Sequence, residues 1–259
     1  MTSYPGLLNH YLKFCHLRNH HENGVLDLGK YPFYYPITLL PILNLIAKDS
    51  IEYIPHYNPA VQTYISIVNN PASYSVGKSY VPVAQLPDGR EDLDDVLQRI
   101  IHLFKEYGSL DAFIYAIYEL SENIYEHSEF NTAHIMAQRY ANFVDICILD
   151  DGITIPKRIN KNYEKFRGEP DYKSIAEALN GLSTKGEKGR GYGLKSSINL
   201  FSQGLNAKIL IISRFGASYI DKNGPQYYKL KDYHKWDGTI IGIRVPFPIP
   251  KIDIYQYIK

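Results

Sequence analysis

The sequence predicts an α/β protein, and three observations carry that prediction. Two alternating apolar runs, residues 133–140 and 143–149, are separated only by Ala141-Asn142 and read as the strands of a hairpin. Segments with helical periodicity flank them, at residues 93–104, around Glu119 and at 194–201. Further apolar strand runs, residues 207–213 and 239–245, bring the chain back to a sheet.

At 259 residues the chain has room for one large domain or two small ones. Lys and Arg number 28 against 27 Asp and Glu, so no overall basic field points to nucleic acid as a partner. No apolar run approaches the roughly 18 residues of a membrane span, and the N-terminus lacks a signal-peptide pattern. The expectation is a cytoplasmic protein with no membrane partner. Cys15 and Cys147, the latter inside an apolar run, suit buried thiols in a reduced compartment better than a disulfide framework. Tyrosine is abundant at 24 copies, with no functional reading at this level.

Along the chain, Leu7, Leu8, Tyr11, Leu12 and Phe14 suit a short amphipathic helix ending before a polar loop at residues 19–24. His16, His20 and His21 lie at that end. Without a Cys or carboxylate set at ligand spacing they read as solvated loop histidines. A strand at 25–28, a helix at 37–47, a strand at 51–54 and a helix at 60–68 follow. Pro36 stands near the first turn of the earlier helix, and Pro41 implies a kink or a later start. This order suggests a small α/β unit over residues 1–88. Residues 69–89, rich in Asn, Pro, Ser and Gly with one extended run at 80–85, place a boundary before a second domain at 89–259.

The second domain opens on an acidic stretch and an amphipathic helix, 93–104, which Gly108 stops. Ser109 or Asp111 caps the next helix. On it Glu119, Asn123 and His127 are spaced i, i+4, i+8 and share one face. The amide oxygen of Asn123 suits magnesium, which takes one or two protein oxygens besides waters and phosphates. Glu119, a turn away, is placed as a general base toward a group attacking a γ-phosphate. Asp150 and Gly152 stand at the end of the strand 143–149. A carboxylate there accepts a hydrogen bond from the exocyclic amine of adenine, where guanine carries a carbonyl, and glycine lets the backbone approach the base. Gly189, Gly191 and Gly193 form a glycine-rich turn into the helix 194–201, a geometry that turns backbone N–H groups toward phosphate. The turn follows a long polar segment rather than a first strand, so it is not a dinucleotide fingerprint, and no P-loop pattern occurs. That polar segment, residues 156–186, carries Lys157, Arg158, Lys161, Lys165, Arg167 and Lys173 and one short helix at 175–179. Thr184, Lys185 and Lys188 are its candidates for contact with phosphate.

In this order and spacing the three pieces resemble the GHKL superfamily of ATPases and kinases, which includes DNA gyrase, sensor histidine kinases and the anti-sigma-factor serine kinases. Glu119, Asn123 and His127 match its N box. Asp150 and Gly152 match its first glycine box, Gly189, Gly191 and Gly193 its second, and Gly238-Thr239 its closing motif. The resemblance covers roughly residues 109–246. It implies a Bergerat-type two-layer α/β sandwich, a mixed sheet with helices on one face, that binds ATP and Mg2+. It makes Glu119 the base, Asn123 the metal ligand and His127 a phosphate-side residue. Ile155, Tyr192, Leu194 and Thr239 become further pocket residues, and residues 156–186 a mobile lid. The family's next glycine is replaced here by Thr154. The activity implied is that of an ATPase or a serine/threonine protein kinase, the alternative being a nucleotide-gated interaction module with little turnover. A protein partner or substrate is implied in either case, and a homodimer is compatible with both. A sensor histidine kinase fits less well, because His102 lacks the usual acidic neighbour. The N-terminal unit distantly resembles the STAS domains that accompany such kinases, with Tyr34 and Tyr35 where those carry a phosphorylatable Ser. An ordinary packing or dimerisation subdomain is the other reading.

Overall fold

The computed structural model describes residues 5–20, 24–87, 93–104, 110–182 and 193–257. The chain is α/β. An N-terminal segment forms α1 (Gly6–Asn19), β1 (Leu26–Asp27), α2 (Pro36–Asp49), β2 (Tyr53–Ile54) and α3 (Pro59–Val68). Then follow β3 (Tyr80–Gln85), α4 (Leu93–Ile101), α5 (Leu110–His127), β4 (Ala133–Arg139) and β5 (Phe143–Asp150). Next come α6 (Ile155–Asn162), α7 (Asp171–Leu179), α8 (Gly193–Asn199), β6 (Lys208–Arg214), β7 (Gly216–Asp221), β8 (Gly224–Lys229) and β9 (Trp236–Pro246).

Seven strands form one sheet in the order β3-β4-β5-β9-β6-β7-β8. Every pairing in it is antiparallel, which corrects the mixed sheet expected. The crossover from β5 through α6–α8 to β6 does make two parallel strands. The last strand, β9, inserts between them and pairs antiparallel with both, so no parallel ladder forms in this sheet. Among the described residues the only parallel pair is the separate one between β1 and β2, two residues long.

The alternation in the central strands sorts their side chains into two cores. Val144, Ile146, Ile148, Ile209, Ile211, Ile241 and Ile243 join α4, α5, α7 and α8 on one face. Cys147, Leu149, Leu210, Ile212 and Ile240 join α1, α2 and α3 on the other. Residues 89–259 therefore carry their own helices on one face, as expected, while the N-terminal segment covers the second face. The division expected at residue 88 is not a division of cores. β3 lies before it and pairs with β4 at the edge of the large sheet, and α1–α3 bury their apolar side chains against that sheet. A sheet apolar on both faces needs cover on both, and the N-terminal helices supply it. Hydrogen bonds fasten the cover: Tyr11 Oη donates to the His234 carbonyl at 2.7 Å and Arg18 Nη1 to that of Lys235 at 2.9 Å.

Two local outcomes differ from the sequence reading. α2 runs unbroken from Pro36 through a buried Pro41. The lost backbone bond and ring clash of an interior proline cost about 3 kcal/mol, which the burial of Ile37, Leu39, Leu40 and Ile42 outweighs. α6 occupies the start of the segment expected to be a charged lid. Thr154 caps it, accepting from the Lys157 N–H at 3.2 Å, and Pro156 lies in its first turn. Only Pro156 and Ile159 are buried along it, so it has too few apolar positions to show a helical period. α7 likewise begins at Asp171, four residues before the expected start.

Candidate functional site

α5 buries Ala112, Phe113, Ala116, Ile117, Leu120 and Ile124 against the sheet. Glu119, Asn123 and His127 are half-buried at its edge. The Asn123 Nδ2 donates to the Glu119 backbone carbonyl at 2.5 Å, which leaves its second N–H and the amide oxygen for other partners. Partial burial, followed by the charges of Glu126 and Glu122, holds the Glu119 carboxyl above its usual range. Gly193 opens α8 against this same face: a Cβ there would stand 2.6 Å from Glu119 Oε2 and 3.7 Å from Asn123 Nδ2. Leu194, next along, packs on the core of that side. His127 closes α5. Its carbonyl accepts from Arg158 Nε at 3.0 Å, and its ring Nε2 lies 3.9 Å from a Glu126 oxygen.

The turn at Asp150–Gly152 meets this same C-terminal end of α5. A Cβ on Gly152 would run into the backbone carbonyl of Ser128, the group that also accepts from the Ile153 N–H. The chain leaving β5 thus lies directly against the end of the helix. Asp150, 2% exposed, accepts from the Gly152 N–H at 2.9 Å. Burial pushes its carboxyl up to about 7 and Asp151 adds to this, while the N–H groups of Gly152 and Thr239 pull the other way. Asp151 behaves oppositely. Burial raises it, but N–H groups from Thr132 and Asn131 and the charge of Lys48 on α2 outweigh that and leave it below its ordinary value.

β9 completes the arrangement. Asp150 and Thr239 are direct partners across the β5–β9 ladder. Gly238 has φ +143, and a Cβ there would overlap the Asp150 carbonyl, so β9 enters the sheet through a position that only glycine suits. The Asp150 carbonyl accepts from Trp236 Nε1 at 3.1 Å. Ser213, fully buried at the end of β6, donates to the Gly238 carbonyl at 3.0 Å, lies 3.2 Å from Thr239 Oγ1 and accepts from the Ile155 N–H at 3.0 Å.

Of the residues the sequence singles out, Glu119, Asn123 and Gly193 come together around α5 and α8. Asp150, Gly152, Ile155 and Thr239 come together at the ends of β5 and β9. His127 stands at the C-terminal end of α5, next to the Ser128 carbonyl that Gly152 approaches. Thr184, Lys185, Lys188, Gly189, Gly191 and Tyr192 lie outside the described residues. Ser213 and Trp236 carry no motif. The one trace of Ser213 in the sequence is a hydroxyl closing an otherwise apolar strand, and Trp236 precedes the run that reads as a strand. His16 and His20 are tied to neighbours, His16 Nδ1 to Tyr31 Oη at 2.7 Å and His20 Nδ1 to the His16 carbonyl at 3.0 Å. Among the described residues no group of three or more His, Cys, Asp or Glu side chains is arranged to hold a metal ion, and no helix is long and apolar enough to cross a membrane. No family model, curated protein or solved structure matches the chain.

Proposed function

We propose that the chain binds ATP with magnesium between α5, α8 and the ends of β5 and β9, and turns it over as an ATPase or protein kinase of the GHKL type. One observation carries the reading. Gly193 is seated against Glu119 and Asn123, while Gly152 is seated against Ser128, where the same helix ends. Pieces far apart in sequence therefore converge along the C-terminal half of one helix.

The donor set fits magnesium. Asn123 offers a neutral hard oxygen, and a magnesium ion held by one protein amide would complete its shell with waters and phosphate oxygens. When bound, the ion would neutralise charge on the phosphates. Glu119, its carboxyl raised above its ordinary range by burial and by the charges of Glu126 and Glu122, is suited to accept a proton from the water or hydroxyl attacking the γ-phosphate. Asp150 and Thr239, at the ends of β5 and β9, offer acceptors to the exocyclic amine of adenine.

Calorimetric titration with ATP and Mg2+ tests the binding, and steady-state phosphate release by wild type and Glu119→Ala tests the turnover. The expected result is heat of binding in both proteins and turnover in the wild type alone. Binding without turnover in either would assign the gated-module alternative. Neither heat nor thermal shift at millimolar ATP would end the nucleotide reading.

A further inference from the structure

We propose that Ser213 is a positioning residue that fixes the Thr239 hydroxyl as a hydrogen-bond acceptor beside Asp150, so that the site selects a 6-amino purine over a 6-oxo purine. The inference rests on the nucleotide reading above and extends it to a residue outside every motif.

A serine hydroxyl has one hydrogen to give and two lone pairs to receive. The Gly238 carbonyl can only accept, so the Ser213 hydrogen goes there, at 3.0 Å. The Ile155 N–H can only donate, and it fills one lone pair, at 3.0 Å. Thr239 Oγ1, at 3.2 Å, has only the second lone pair left to meet and must be the donor. Its single hydrogen is thereby committed to Ser213, and toward anything else Thr239 turns lone pairs only. Ser213 is fully buried and Thr239 is 8% exposed, so bulk water does not scramble the arrangement.

Directly opposed residues of an antiparallel ladder project from the same face. Asp150 and Thr239 are such a pair. Their neighbours Leu149 and Ile240 belong to the core under α1 and α2, which puts Asp150 and Thr239 on the face that carries α5 and α8. Above the value of about 7 to which burial raises it, Asp150 is an ionised carboxylate and likewise only accepts, so the titrations below are made at pH 8. Two adjacent acceptors call for two donors, which an exocyclic amine supplies directly or through one water. A carbonyl at the same purine position would face both acceptors and offer them no hydrogen.

The probes are ATP and inosine triphosphate, which differ at that position, titrated with Mg2+ into wild type, Ser213→Ala, Ser213→Thr and Thr239→Val. Wild type is expected to prefer ATP. Ser213→Ala frees the Thr239 hydroxyl to turn its hydrogen toward a carbonyl, and the ratio of ATP to inosine triphosphate affinity is expected to shrink about tenfold. Ser213→Thr keeps the hydroxyl and is expected to restore the ratio. A residue that served packing alone would weaken both nucleotides together, and an unchanged ratio in Ser213→Ala would overturn the proposal. Should Ser213→Ala fail to fold, Thr239→Val decides: it removes the acceptor, and an unchanged ratio there overturns the proposal equally. Wild type that binds neither nucleotide would remove the nucleotide reading and this inference together. Wild type that binds ATP beside an unmoved ratio in the variants removes this inference alone.

Discussion

Glu119 shares α5 with Glu122 and Glu126, and burial, joined by those two charges, raises its carboxyl above the ordinary range. If Glu119 is the base, the acid limb of a kcat against pH profile follows its titration. The limb is expected above the pH of an unperturbed carboxylate and is expected to move downward in Glu126→Gln. A limb that stays put in that variant would assign the titration to another group. Asp150 makes the opposite kind of statement, about stability. Its carboxyl in the folded chain is raised to about 7 by burial, whereas in the unfolded chain it titrates near 3.9. Between those values the folded state holds a proton that the unfolded state has released. The stabilisation is therefore complete at acid pH and lost as pH rises through 7, a difference of about 4 kcal/mol for a shift of this size. Asp150→Asn cannot ionise. Urea unfolding is expected to find it more stable than wild type at pH 8, with the advantage vanishing toward pH 4. Parallel stability curves for the two proteins would contradict the assignment.

At the scale of elements, the segments that build the site are aimed by a few local devices rather than by long apolar faces. The Thr154 hydroxyl caps α6, and Thr154→Ala is expected to cost about 1 kcal/mol, read as a lowered urea midpoint with unchanged slope. Gly152 and Gly238 hold close backbone passages that a side chain would fill with the carbonyls of Ser128 and Asp150. Because the obstacle in each case is backbone, Gly152→Ala is expected to displace the turn after β5 from the end of α5. Nucleotide affinity should then fall by more than the loss of a methyl-sized contact would explain, with calorimetry as the check. How much of this was legible in the sequence follows from the same devices. The hairpin of β4 and β5 and the amphipathic α4 announce themselves by period. α6 does not, since it is polar nearly throughout, and Trp236 joins β9 only through the irregular entry at Gly238.

Over the whole molecule, one antiparallel sheet carries two cores, and the N-terminal helices close the second. Much of the tyrosine content finds its place on this second face. Tyr35, Tyr64 and Tyr140 gather with Phe33, Phe143 and His10 around the buried Asp145 and its half-buried partner Arg244, joined by a fork of two 2.7 Å bonds. Arg244 also lies 4.0 Å from the Phe143 ring centre. Because the two cores share their strands, unfolding is expected to be a single transition. The sole tryptophan, Trp236, sits in the second core. Its fluorescence and the far-UV circular dichroism of the whole chain are expected to change together in urea. Leu40→Ala in α2 is expected to lower that common midpoint by the equivalent of about 2–5 kcal/mol. Separate transitions would mean that residues 1–88 fold as an independent domain after all.

The sequence by itself determined the α/β class, the helix that lines up Glu119, Asn123 and His127, and the strand that ends at Asp150, because period and spacing are properties of contiguous residues. It also marked Gly152, Gly193 and Thr239 as places of interest. Only the tertiary structure decided that β9 passes between β5 and β6, that the N-terminal segment is a layer of the same body, and that Ser213 joins Ile155, Gly238 and Thr239. Those outcomes depend on which distant strands become neighbours and on which buried hydroxyl is left to satisfy which backbone group. Nothing local to any one stretch of the chain records them.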